Sequence, residues 1–194
     1  MTFLRRILCG ALLCTAATSL IGEEMVVPMD VQVALFTKIW KLDRTFKPGP
    51  AVRVAVIYQE EYRPSANAAA QLLAAIRAAN LRIACTLVDL DEQATVAERI
   101  PRKDIDVLYV MPLRAINVGA IAGISRAHGI RTITAVPHYV SDGLAVGIGL
   151  LKQRPLIIIN LRASRAEGSE FTSQLLTLSR VIEEGGAAYV GAPR

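Results

Sequence analysis

"VRVAVIYQEEYRPSANAAAQLLAAI", from Val52 to Ile76, carries two periodicities back to back. The first seven residues are Val-rich and almost wholly apolar, the pattern of a strand covered on both faces. After a polar break, Leu72, Leu73 and Ile76 fall on one face of an Ala-rich helix, with Ser65 placed to cap it. A buried strand that hands over to an amphipathic helix is the first half of a β-α unit.

The unit recurs downstream. Residues 82–88 and DVLYVMP (106–112) read as further strands, separated by DEQATVAERIPRK, a short helix and a turn. Asn117 to His128 is a small-residue helix closed by Gly129 in the C-cap position. IRTITAV (130–136) is a fourth strand. Repetition every ~25 to 30 residues predicts a parallel sheet with helices on both faces. Upstream, VPMDVQVALFTKIWKLDRTF (27–46) reads as an opening helix. Pro28 stands at its first position, and Val31, Leu35, Ile39 and Leu42 form the inward stripe, widened by Phe36 and Trp40. Lys38, Asp43 and Arg44 then form a solvated flank with local ion pairs.

The carboxyl-terminal part departs from the repeat. LAVGIGLL (144–151), a KQRP turn and LIIIN (156–160) predict a hairpin, hence an antiparallel addition to the sheet. A loop, RASRAEGSEF, then leads to a final helix from about Ser169 to Glu184, with Phe171, Leu175, Leu178 and Ile182 facing inward and Gly185-Gly186 ending it. The expected fold is therefore an α/β three-layer sandwich: a mostly parallel sheet, a C-terminal antiparallel hairpin and a final packing helix.

Composition agrees. Of the 194 residues 53% are hydrophobic and only 5% aromatic, so aliphatic side chains do the packing. MTFLRR followed by ILCGALLCTAATSLIG has the outline of a secretory leader, residues 1–22. The apolar run is shorter than the ~20 residues a bilayer span requires. Cleavage would take 22 basic residues to 20 against 17 acidic, and the net charge from +5 to +3. The remaining charges are interspersed, which disfavours nucleic-acid binding. Of three cysteines only Cys85 lies beyond the leader, in an apolar run suited to a buried, inert thiol.

Reactive constellations are absent. No Gly-x-Ser-x-Gly occurs, and His128 and His138 have no companion carboxylate at a readable spacing. His128 suits the end of its helix, where a cation complements the dipole. His138 lies on the loop after the fourth strand, where open α/β sheets bind ligands. A lone cysteine and two separated histidines make no metal site, and no cofactor is expected. GIGLL (147–151) leads into a strand and lacks a third glycine, so it is no dinucleotide fingerprint. The loops after strands one and three carry Gln59, Glu60, Glu61, Tyr62, Arg63, Arg114 and Asn117; the two glutamates argue against an anion there. Arg162 and Arg165 have the forked donors that grip a partner's carboxylates. Asn160, at a strand end, suits bonds to loop backbone.

A strand ending in Ile-Asn at Asn160, a loop with Ala-Glu-Gly, and the Ser173-Gln174-Leu175-Leu176 helix start resemble the carboxyl-terminal half of the YfiR-type family. VPMDVQVALFTKIWKLDR resembles the helix with which a branch of that family begins, so the likeness covers residues 27–182 of a single domain (27–186) followed by a tail (187–194). It implies a non-enzymatic periplasmic protein of Gram-negative bacteria, exported by its signal peptide, that binds the periplasmic part of an inner-membrane signalling protein. That partner is a diguanylate cyclase, whose restraint regulates cyclic di-GMP signalling, or a sensor kinase; a homodimer is also compatible. Partner or ligand contacts are then expected at Asn160, Arg162, Arg165, Ser173, Gln174 and His138. Disulfide-based redox control, a feature of the family, does not carry over to a mature chain with one cysteine. The alternative is a single-lobe periplasmic protein that binds a small ligand, since residues 52–136 have the β-α order of one lobe of a solute-binding protein.

Overall fold

The computed structural model describes residues 27–90, 96–100, 104–182 and 188–189. The expected leader, the Gly185-Gly186 stop and most of the tail lie outside the described residues.

Eight strands among them form one sheet: β1 (Val52–Tyr58), β2 (Ile83–Asp89), β3 (Val107–Val110), β4 (Arg131–Thr134), β5 (Val146–Leu151), β6 (Arg154–Asn160), β7 (Ser179–Ile182) and β8 (Ala188–Tyr189). Their order is β2-β1-β3-β4-β5-β6-β7-β8. The first five in that order run parallel, β6 is antiparallel to β5, β7 is parallel to β6, and β8 is antiparallel to β7. The hairpin turns on Lys152 and Gln153, both at positive φ (49° and 63°), the backbone that a two-residue connection of twisted strands favours.

Helices cover both faces. On one, Phe36, Ile39 and Trp40 of α1 (Met29–Lys41) join Leu72 and Ile76 of α2 (Arg63–Ala78) over Val54, Val56, Tyr109 and Ile133. On the other, Ile121 and Ala122 of α4 (Val118–His128) and Ile100, just after α3 (Val96–Arg99), pack on Ala55, Ile57, Leu108 and Val110. The α/β three-layer sandwich with its antiparallel hairpin is as expected. Gly129, at φ 62°, ends α4 in the left-handed region as its sequence position predicts.

Five local expectations are corrected. The final helix is only α6 (Ser173–Thr177), and the chain then becomes β7. Leu175 is buried, but Leu178 is 67% exposed. A helix continued to Glu184 would forfeit the ladder of residues 179–182 with β6, and Ser179 Oγ instead donates to Leu175 O at 2.7 Å, closing the short helix. The loop after Asn160 is itself a helix, α5 (Leu161–Ala166). Ser65 caps nothing; it is buried inside α2, where its Oγ accepts from Gln59 N at 2.9 Å. The inward face of α1 includes Gln32, whose amide accepts from the Tyr109 hydroxyl and donates to Val27 O at 2.6 Å. That bond holds the start of α1 against β3.

Nor is Asp43 part of a wet flank. It is buried at the amino-terminal edge of the sheet, where it accepts from Thr45 N (3.1 Å), Thr45 Oγ1 (2.7 Å), Arg131 Nε (3.1 Å) and Glu170 N (2.9 Å). Burial alone would raise its pKa, but these donors outweigh that and hold it below the ordinary carboxylate value. Glu167, just past α5, is buried at the same edge. It accepts from Thr132 N (2.7 Å), Thr132 Oγ1 (2.7 Å) and Ser125 Oγ (2.9 Å), tying β4 and α4 to α5. Here burial dominates and pushes the carboxyl up to about 7, against the lowering by its donors and by Arg126.

The two groups have opposite signs in linkage. Asp43, depressed in the fold, contributes stability above its unfolded pKa that is lost as pH falls. Glu167, raised in the fold, contributes stability that is full below about 4.5 and is lost as pH rises through about 7. The unfolding free energy from urea titration should therefore fall between about pH 5 and 7, by up to about 1.4 kcal/mol per pH unit, and Glu167→Gln should flatten that slope. An equal slope in the variant contradicts the assignment.

Candidate functional site

Strand β1 has parallel neighbours on both sides, and the helices that follow β1 and β3 leave toward opposite faces. The loops beyond these strands therefore diverge and leave a crevice at the carboxyl edge of the sheet. A cleft of about 1120 Å³ occupies it. Its walls are the start of α1 (Val27, Pro28, Met29), Tyr62, Ala68 and Gln71 at α2, residues 111–113 and 116–119 beyond β3, residues 135–139 and Asp142 beyond β4, and Gly149 and Leu150 of β5.

The loops around this mouth are tied to one another. Gln59, buried beyond β1, accepts from Arg114 N at 2.6 Å and donates to Arg114 O at 3.1 Å, so it reads the loop after β3 as a strand would. The Tyr139 hydroxyl accepts from Leu113 N at 2.8 Å and donates to Leu113 O at 3.1 Å. Burial raises the Tyr139 phenol, which keeps it protonated and able to serve both bonds. Directly after the two clamped residues Ala115 is held at φ 57°, a left-handed conformation a non-glycine residue adopts only when its surroundings impose it. The rim is thus positioned before any ligand arrives.

The glycines of the GIGLL stretch find their use here. Pro137–Val140 form a 3-10 turn that lies directly on β5. A Cβ on Gly149 would come within 2.9 Å of Pro137 Cγ, and one on Gly147 would collide with Val140 Cγ2. Only bare backbone lets the turn carrying His138 and Tyr139 approach the sheet.

The six expected contact residues do not form one site. His138 lies in the cleft, exposed, its ring edge-on to Tyr139 at 4.6 Å. The other five lie at the opposite edge of the sheet, because β6 runs antiparallel and delivers the chain there. Asn160 is the N-cap of α5: its Oδ1 accepts from Ala163 N at 3.0 Å and its Nδ2 donates to Val140 O at 3.1 Å, so both ends serve the backbone. Arg162 and Arg165 on α5, and Ser173 and Gln174 opening α6, are exposed. His128 lies in the last turn of α4, as its dipole reading predicts. Gln59, Tyr62 and Asn117 were legible as residues of strand-end loops; Tyr139 carried no signal beyond its place beside His138. Among the described residues no three His, Cys, Asp or Glu side chains gather as metal ligands, and no helix is long and apolar enough to cross a membrane.

No protein-family model matches the sequence, and no curated protein does. Solved structures do share the fold. A conserved domain protein from Vibrio cholerae O1 biovar eltor aligns with a TM-score of 0.59 at 13% identity, over 81% of this chain and 60% of that one. The ABC domain of Streptococcus pneumoniae, solved in complex with L-Trp, gives 0.59 at 11% over 80% and 62%. CD0873, a substrate binding protein with adhesive properties from Clostridium difficile in a ligand-free, open form, gives 0.59 at 16% over 81% and 60%. At such identities the likeness is one of fold. This chain spans only 60–62% of the length of these structures.

Gly149→Ala should cost about 1–3 kcal/mol by overpacking, read as a lower urea midpoint. Tyr139→Phe should release the Leu113 loop, read as faster amide exchange at Leu113. A Gly149→Ala variant as stable as the parent would show that the turn does not rest on β5.

Proposed function

We propose that this protein binds a small molecule with an apolar body in the cleft at the carboxyl edge. The observation that carries the reading is a crevice at the strand-order reversal whose three rim loops are bonded to each other through Gln59 and Tyr139. Apolar clefts with a few convergent polar groups are the usual form of small-ligand sites. The apolar walls, Met29, Leu113, Ile116, Val136 and Leu150, suit an aliphatic or aromatic body, and among the described residues no Ser, Thr, Cys or Lys lines the cleft to attack it. The L-Trp bound to the streptococcal domain of like fold supports the size and character of such a ligand. On this reading the chain is a binding protein and not an enzyme.

The test is a thermal-shift panel of amino acids, amines and aromatic metabolites. A ligand at a hundredfold excess over Kd stabilises by about 2.7 kcal/mol, which at roughly 2–4 °C per kcal/mol raises Tm by about 5–10 °C. Ile116→Trp, which fills the cleft from a half-buried position, should abolish the shift without lowering the parent Tm. A panel with no hit, or a shift that survives Ile116→Trp, contradicts the reading.

A second reading draws on the resemblance at Asn160 and Ser173–Leu176: an exported periplasmic regulator that docks on the periplasmic region of an inner-membrane signalling protein. What favours it is that Arg162, Arg165, Ser173 and Gln174 present exposed side chains at the edge away from the cleft. Co-purification from inner membranes should recover such a partner, and a paired Arg162→Glu, Arg165→Glu variant should lose it. Recovery unchanged by that variant contradicts docking through this edge.

A further inference from the structure

Within the reading of the cleft as a small-ligand site, we infer that its ligand carries a positive charge beside its apolar body, and that Asp142 selects it. Among the described residues no Lys, Arg or Glu lines the cleft, and Asp142 is the one carboxylate of its lining. That side chain is exposed and makes no hydrogen bond or ion pair among the described residues. Two further acceptors, the Asn117 side-chain oxygen and the Asp142 backbone carbonyl, flank Gly119 in the same wall. A Cβ built on Gly119 would lie 3.1 Å from Asn117 Oδ1 and 3.7 Å from Asp142 O, so the missing side chain leaves a space flanked by acceptors. Asn117 precedes α4 without turning its side chain back to cap the helix, which leaves Oδ1 available to a donor. An ammonium has three donors and no acceptor, and it matches this set.

The amino terminus of α4 opposes a cation at the same place. Its dipole amounts to roughly half a positive charge, against the full negative charge of Asp142, so the local balance favours the cation. Arg114 adds a positive charge outside the lining, 5.8 Å over the Tyr62 ring. Tyr62 is itself part of the cleft wall, so Arg114 stands at the mouth, while Asp142 is the carboxylate among the described lining residues.

Two probes with one indole body and opposite charges test the inference: tryptamine and indole-3-acetate, titrated by calorimetry at low salt. Tryptamine should bind at least tenfold more tightly, Asp142→Asn should reduce that preference to near parity, and Asp142→Lys should reverse it. Asp142 is exposed, so unchanged urea midpoints will show that both variants fold. Tighter or equal binding of indole-3-acetate, or tryptamine binding unchanged in Asp142→Asn, overturns the inference and leaves the cleft a binding site. Absence of binding by both probes also overturns it, and the metabolite panel then decides separately whether the cleft binds anything.

Discussion

Strand β1 is flanked on both sides by parallel partners, and from this constraint the rest of the molecule follows. The chain leaves β1 through α2 on one face to build β2, then returns to the far side of β1 as β3 and leaves again through α4 on the other face. Right-handed crossovers on opposite faces cannot keep the two loops together. A gap at the carboxyl edge is the geometric remainder, and the protein fills its margins with side chains that bond backbone across it. Gln59 and Tyr139 are the two that count, since each satisfies both backbone groups of a single loop residue.

The two edges of the sheet differ in purpose. At the amino-terminal edge the polar groups are spent on one another: Asp43 with Arg131 and Thr45, Glu167 with Thr132 and Ser125, Asn160 with the backbone of α5. These are joints that hold irregular segments, and burial makes each costly to leave unpaired. At the carboxyl edge, loop backbone is fixed while Asp142, His138 and the Asn117 amide are left facing the cleft. Fixed loops with polar side chains turned to the cleft are what the proposed ligand site requires.

Most of the fold was legible in the sequence because its strands are short saturated runs and its helices have clear stripes. VRVAVIY, the hairpin and the Gly129 cap all read correctly. The carboxyl-terminal helix did not, and the reason is physical: Leu175, Leu178 and Ile182 have helical spacing, yet residues 179–182 gain a sheet ladder only when β6 is already in place, and no local pattern announces that. Gln32 hid in an apolar stripe because its partner, Tyr109, is 77 residues away. The site was half visible. The strand-end loops and His138 were named, whereas Asn160 and its neighbours drew attention to the edge away from the cleft, since nothing local says that an antiparallel strand carries them there.

Backbone amide chemical-shift mapping during titration with the tightest ligand found would test the central claim most directly. Shifts confined to residues 59–62, 111–119 and 136–142, with 160–177 unmoved, are the predicted result. Perturbation centred on residues 160–177, with the carboxyl-edge loops silent, would contradict it.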